Sequence, residues 1–285
     1  EVSYNDELLG YSLDLKGSEY YTIYIRRISD NKLVTEQIKE TSGGITFSLD
    51  DKYIFYSKLD ANHRPRQIFR HKLGSSTKED ELIFDEQDKS FAVSIGISSD
   101  EKFFFISSSD HVTSEMHYFP ADQKNPKPKL LIKREQEITY GIDSWGDYFY
   151  MHTNKNAEDF KICRCKKDNL DNKWEDFIPA RNETLIGGFN MLKEWMVRSE
   201  IRNALPRLFV RNLNTNEEEE LIFSDEKVYM PGCSLVQKNR NTDFVHLSYA
   251  SPKTPGKTYL YNLKTKEKKL VKEQEIPSGH NPDNY

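Results

Sequence analysis

An all-β fold built from repeated four-stranded sheets, a β-propeller, is what this sequence of 285 residues predicts. Three observations carry the prediction. Short runs rich in aromatic and β-branched residues recur between turn signals, as in Lys52–Lys58 (KYIFYSK). One turn pattern is repeated: Ser48-Leu49-Asp50-Asp51 before Tyr53 echoes Ser98-Ser99-Asp100-Glu101 before Phe103 and Ser3-Tyr4-Asn5-Asp6 before Leu8. The residues that follow these turns, Leu8, Tyr53, Phe103, Tyr148, Trp195 and more loosely Phe244, lie 45, 50, 45, 47 and 49 positions apart. A period near that length, with four strands in each period, is the signature of a propeller blade. A β-sandwich with accidental spacing is the alternative.

The best-defined repeat runs from Gly43 to Phe84. Its strands are predicted at Gly44–Phe47, Lys52–Lys58, Gln67–Lys72 and Asp80–Phe84. A sheet this small cannot bury both faces alone and needs copies on either side. The repeat before it, Val2–Thr41, offers Glu7–Leu13, Tyr20–Arg26 and Lys32–Gln37, and lacks an innermost strand. The third repeat gives Ala92–Ile97, Lys102–Ser107, Glu115–Phe119 and Lys129–Lys133. The fourth gives Thr139–Ile142, Asp147–His152, Phe160–Arg164 and Trp174–Ile178. The fifth gives Leu185–Phe189, Glu194–Ser199, Arg207–Arg211 and Glu219–Phe223. The sixth gives Val228–Met230, Phe244–Ser248, Thr258–Asn262 and Lys268–Val271. No segment reads as a helix. Six repeats are visible, the first short at its N-terminal side; either six blades close the ring or a further blade precedes Glu1, and the abrupt start favours the second. The propeller is expected over residues 1–277. The tail 278–285, in the Pro- and Gly-containing stretch Glu275–Tyr285, has linker composition and is expected to begin a hinge towards another domain.

Composition narrows the function classes. Lys and Arg number 41 against 46 Asp and Glu, a net charge of -5 that disfavours a general nucleic-acid binder. Mean hydropathy is -0.78. No apolar run approaches the roughly 18 residues of a membrane span. Three cysteines argue against a disulfide framework. Cys163 and Cys165 share one strand face but lack the partner pair of a zinc site, and read as buried reduced thiols. No metal and no cofactor is expected, and a reducing cytoplasm fits best.

No self-sufficient active site is legible. A nucleophile elbow needs Gly-x-Ser-x-Gly, and Gly232-Cys233-Ser234-Leu235-Val236 lacks the second glycine. The seven histidines are scattered and read as strand or surface residues. Asp50-Asp51 reads as turn chemistry, and Glu217–Glu220 as a solvated hairpin tip. Two loops stand out. Asp60–Arg66 gathers Arg64 and Arg66, and Ser108–Glu115, with Asp110, His111 and Glu115, occupies the matching place one repeat later. Both join a second strand to a third. Because strands alternate in direction, a chain leaving a fourth strand does so at that same end. Arg64, Arg66, Asp110, His111 and Glu115 are therefore the candidates for contact with a following domain or with substrate passing beside it. Ordinary loop polarity explains them equally well.

In order along nearly the whole chain, further pieces carry a resemblance: Phe69-Arg70-His71 with Gly74, Leu82-Ile83-Phe84-Asp85-Glu86 with Asp88, Thr113-Ser114-Glu115, Thr153-Asn154 with Asn156 and Phe160, Trp174-Glu175, Ile178-Pro179-Ala180-Arg181, and the stretch from Glu275-Ile276-Pro277 to Asn284-Tyr285. The chain resembles the propeller domain of oligopeptidase B (protease II), in the prolyl oligopeptidase family of serine peptidases. The resemblance implies a seven-bladed propeller covering a C-terminal α/β-hydrolase domain that holds the catalytic Ser, Asp and His. It also implies short peptide substrates cut after Lys or Arg. By that resemblance no catalytic residue lies in this chain, and the propeller acts as a lid that excludes folded proteins. The competing readings are a stand-alone propeller that binds protein partners without enzymatic activity, and a propeller from a dipeptidyl-peptidase-like or periplasmic relative.

Overall fold

The computed structural model describes residues 1–168, 174–222, 226–236, 238–281 and 284. The chain divides into two compact units, Glu1–Met151 with Cys165–Lys173, and His152–Arg164 with Trp174–Tyr285. Every regular element among the described residues is a β-strand, apart from one short 3-10 turn at Thr77–Glu79.

In the first unit, β1 (Leu8–Leu13), β2 (Tyr21–Arg27) and β3 (Ile38–Thr41) form an antiparallel meander. Next come β4 (Thr46–Phe47), β5 (Tyr53–Leu59), β6 (Pro65–Lys72) and β7 (Glu81–Asp85). The first and second repeats share one seven-stranded sheet, joined through the single pair Thr41↔Lys58. The third repeat is a separate four-stranded sheet, β8 (Ala92–Ile97), β9 (Phe103–Ser109), β10 (Ser114–Pro120) and β11 (Lys129–Ile132).

The third strand of the first repeat differs from expectation. Lys32–Gln37 was the predicted span; the strand is Ile38–Thr41, preceded by an isolated bridge between Arg26 and Leu33. The interruption has a cause in side-chain chemistry. Thr35 turns away from the ladder, its hydroxyl 2.5 Å from Nε2 of His71, and Nδ1 of His71 lies 2.6 Å from Asp80. Glu36 accepts from the backbone N–H and the hydroxyl of Thr77. Thr35 and Glu36 thus clip the first repeat onto the second instead of extending β3. The order hydroxyl, imidazole, carboxylate resembles a charge-relay arrangement, but His71 is completely buried and its place is structural.

The repeated turn has one physical basis. In each of its three copies the Ser hydroxyl accepts the N–H of the anchor residue, at 2.9 Å for Ser3 and Leu8, and 3.0 Å for Ser48 and Tyr53 and for Ser98 and Phe103. The hydroxyl itself donates to the carboxylate or amide two residues on. The fourth residue, Asp6, Asp51 or Glu101, takes a left-handed backbone with φ of 58°, 53° and 59°. The turn carboxylates also staple neighbouring repeats: Asp51 accepts from the N–H groups of Tyr4 and Asn5, and Asp100 from the hydroxyl of Ser144.

Strand β5 shows why repeats stack. Ile54 and Tyr56 face one cluster with Ile23, Ile25, Ile38 and Phe47. Phe55, of opposite parity, faces another with Ile68, Val93, Phe104, Ile106 and Phe119. A strand buried on both faces needs a sheet on each side.

A further four-stranded sheet is formed by β12 (Tyr140–Trp145), β13 (Tyr148–Thr153), β14 (Lys161–Lys166) and β15 (Glu175–Ile178). The second unit continues with β16 (Thr184–Leu192), β17 (Trp195–Arg202), β18 (Leu205–Asn212) and β19 (Glu218–Glu220). It ends with β20 (Met230–Leu235), β21 (Phe244–Ala250), β22 (Lys257–Asn262) and β23 (Lys268–Glu273). Its core joins Leu192, Val197, Leu208, Val210 and Leu221 to Val245, Leu247 and Leu263. The expected strand Glu219–Phe223 is confined to Glu218–Glu220, and Phe223 lies outside the described residues. Cys163 and Cys165 are buried thiols that are not joined in a disulfide. Burial, helped by Asp176, pushes the Cys163 thiol up to about 12, so it stays protonated and inert at neutral pH.

Candidate functional site

In the first unit the connections after β5 and β9 meet the segments that leave β7 and β11, as strand alternation requires. The backbone N–H of Glu86 donates to Arg66 O (3.0 Å), and that of Ser114 to Ile138 O (3.0 Å). At this end stand the five residues singled out from the sequence, and they play different parts. Arg64 is exposed and donates to the backbone carbonyl of Lys89. Arg66 is half-buried; its Nε donates to Glu86 O at 3.1 Å, and its head pairs with Asp85. Asp110 shapes its own loop, accepting from the N–H groups of Val112 (2.8 Å) and Thr113 (2.6 Å). Those bonds hold its carboxyl below the usual range. His111 is exposed beside it.

Glu115 is drawn inward. Arg134 bridges it to Glu86, with Nε 3.2 Å from Glu115 and Nη2 2.7 Å from Glu86. The hydroxyl of Ser108 donates a short bond to the same Glu86 oxygen, and the guanidinium lies 4.0 Å from the Phe91 ring centre. Burial raises the Glu86 carboxyl, but Ser108, the Asp88 N–H and Arg134 together overcome this and hold it low. Glu115 follows the same balance, with Arg134 outweighing burial. Sequence reasoning missed Arg134, and nothing around Lys133-Arg134-Glu135 marks it; Glu86 sat within a recognised stretch without a role.

The second unit carries a larger ionic cluster on one face of β17–β19. Arg198 and Glu200, both fully buried, lie 2.6 Å apart. Arg198 also holds Glu218 at 2.6 Å. Arg202 binds Glu200 Oε2 at 2.5 Å, while Arg181 and Arg211 approach from the sides. Glu218 therefore sits inside an arginine cage, not at a solvated hairpin tip as its charge run suggested. At the chain's end, His280 Nε2 lies 2.7 Å from Lys253 O, so the tail rests on the connection between β21 and β22. Among the described residues no group of three His, Cys, Asp or Glu is placed to hold a metal ion, and no helix is long and apolar enough to cross a membrane.

These features can brace sheets and present charge, and none supplies an accessible nucleophile with its base. Comparison with known proteins gives the context. Residues 1–274 match the family model of the prolyl oligopeptidase N-terminal β-propeller domain. Dipeptidyl aminopeptidase BI of Pseudoxanthomonas mexicana is 31% identical over 100% of this chain and 39% of its own length. Protease 2 of Moraxella lacunata is 30% identical over 92% of this chain and 38% of its length. Oligopeptidase B from Leishmania major superposes with a TM-score of 0.92 at 19% identity, covering all of this chain and 42% of that one. Oligopeptidase B from Trypanosoma brucei, solved with covalently bound antipain in a closed form, gives 0.90 at 26% identity, covering 99% and 41%. The chain thus spans about two-fifths of the length of these relatives. The propeller read from the sequence is the fold of these structures, and the chain belongs to the prolyl oligopeptidase family as its N-terminal β-propeller domain.

Proposed function

We propose that this propeller is the non-catalytic lid of an oligopeptidase-B-like serine peptidase that cleaves short peptides after Lys or Arg. The observation that carries the reading is the match of residues 1–274 to the propeller domain alone, with peptidase relatives two and a half times longer. In this reading residues 278–285 begin the hinge to a C-terminal α/β-hydrolase domain, which holds the Ser-His-Asp machinery and the acidic groups that bind the basic side chain. The propeller's task is steric: a flexible peptide passes, a folded protein does not, and opening between domains sets access. Buried cysteines not joined in disulfides accord with a reducing, cytoplasmic setting.

The full-length protein is expected to react with a fluorophosphonate serine-hydrolase probe and to cut a short fluorogenic peptide with Arg before the scissile bond. A full-length protein that neither labels nor cuts would leave the stand-alone partner-binding propeller as the better reading.

The gating candidates separate under mutation. The Arg64 side chain is exposed and, among the described residues, its hydrogen bond is to a backbone carbonyl. Arg64→Ala should change kcat/KM for a ten-residue peptide by about threefold, the scale of one exposed ionic contact, with Tm unchanged. Arg66→Ala should also cost about 1 kcal/mol of stability, because it strands the Glu86 carbonyl and Asp85. Steady-state kinetics beside thermal melts checks both, and unchanged kinetics for both would remove them from gating.

A further inference from the structure

The arginine cage of the second unit holds more positive charge than its own carboxylates can use. Arg181, Arg198, Arg202 and Arg211 converge on two carboxylates, Glu200 and Glu218. The best bonds are already assigned. Glu200 Oε1 takes Nε and Nη2 of Arg198 at 2.9 and 2.6 Å, and Oε2 takes Nε and Nη2 of Arg202 at 2.9 and 2.5 Å. Glu218 takes Nη1 and Nη2 of Arg198 at 2.6 and 2.9 Å. Arg181 reaches the same oxygens only at 3.3 to 3.5 Å, each time behind a shorter bond.

A structural ion cluster would be complete without Arg181. Arg181 therefore adds positive charge beside an already paired buried cluster and is open to a further counter-charge from solvent. Arg181 and Arg202 flank Glu200 Oε2 from two sides, and their side chains stay 34% and 35% exposed. Among the described residues, Nη1 of Arg202 meets no acceptor. Both planar heads thus have donors left for an anion arriving from solvent. The guanidinium fork matches a carboxylate. The chain's net charge of -5 supplies no extended basic field for a polyanion.

Position narrows the anion further. Arg202 is the last residue of β17, at the β17–β18 connection, and Arg181 lies in the segment leaving β15. By strand alternation these are the ends of their sheets that correspond, in the last sheet, to the β21–β22 connection carrying the tail at Lys253 and His280. If the chain continues there into a peptidase domain, peptides pass that end.

We propose that Arg181 and Arg202 form a receptor for the C-terminal carboxylate of the peptide substrate, an inference that rests on the peptidase reading above. A carboxylate contact at a fixed distance from the scissile bond favours short peptides, which complements steric exclusion.

The test compares two fluorogenic peptides of one sequence with Arg before the scissile bond, one ending in a free carboxylate and one in an amide, on the full-length protein. The free acid should be favoured by about tenfold in kcat/KM at low salt, the scale of one charged hydrogen bond. That ratio should fall towards one in Arg181→Gln and as sodium chloride is raised, and Arg181→Lys should keep part of it. Because Glu200 and Glu218 keep their short bonds in Arg181→Gln, the fold survives that change. Arg202→Gln is the second variant. Fluorescence anisotropy of the same pair, made non-cleavable, reads binding independently of cleavage. Acid-selective binding lost in Arg181→Gln supports the receptor even if nothing is cut, in which case only the peptidase reading fails. Equal binding of acid and amide, or a preference that survives both variants, overturns the receptor.

Discussion

Glu200→Gln is expected to lower the melting temperature by about 10 °C, from a loss of roughly 3–5 kcal/mol. Glu200 is fully buried and answers three guanidiniums, those of Arg181, Arg198 and Arg202. The amide keeps the shape and removes the charge. Four guanidiniums then face the single carboxylate of Glu218, and Arg198, also fully buried, keeps one anionic partner in place of two. Repulsion among desolvated cations acts in a medium far less screening than water. The aromatic contacts of the cluster, Arg198 and Arg202 over Phe209, do not replace the lost charge. Arg202→Met removes a cation one-third exposed and should cost only about 1 kcal/mol. If surplus charge is the cause, the double variant Glu200→Gln with Arg202→Gln should recover part of the loss, a coupling that a double-mutant cycle measures. Glu200→Gln melting within 2 °C of the wild type would show that solvent, not Glu200, balances the cage.

How far the sequence spoke depends on the range of the interaction. The Ser-x-Asp turns were legible because hydroxyl, carboxylate and left-handed residue lie within four positions, and each copy uses the same bonds. Strand positions followed from composition between turns, with boundaries shifted by one or two residues at most ladders. The interruption before β3 was not legible, since it depends on His71 and Thr77, some 36 to 41 residues away. Glu218 read as a solvated tip for the same reason: its cage comes from Arg198 across the ladder and Arg181 in another segment. At the candidate face, position was legible from strand parity and role was not. Arg64 and His111 stay exposed, Arg64 donating to a backbone carbonyl, whereas Glu115, alike in sequence, is claimed by Arg134.

That claim makes a pH-dependent prediction. Arg134→Met is expected to lower stability at pH 7 by about 3 kcal/mol, a Tm drop of roughly 5–10 °C, because it leaves buried Glu86 without its cation. In the wild type, Glu86 and Glu115 are held below the ordinary carboxylate range despite burial. Depressed carboxyls contribute stability that is present above about pH 4.3, their unfolded value, and lost as pH falls through the folded values. Wild-type stability should therefore decline from about pH 5 downwards. In Arg134→Met the burial penalty on Glu86 loses its strongest opposing charge, so its carboxyl moves upward. A carboxyl that is less depressed in the fold loses less stability on protonation, so acid should cost the variant less. The two melting curves should separate most at neutral pH and converge near pH 3. Calorimetric melts of both proteins from pH 3 to 7 test this. A constant gap across the range would mean that Arg134 acts through its packing on Phe91 and not through its charge.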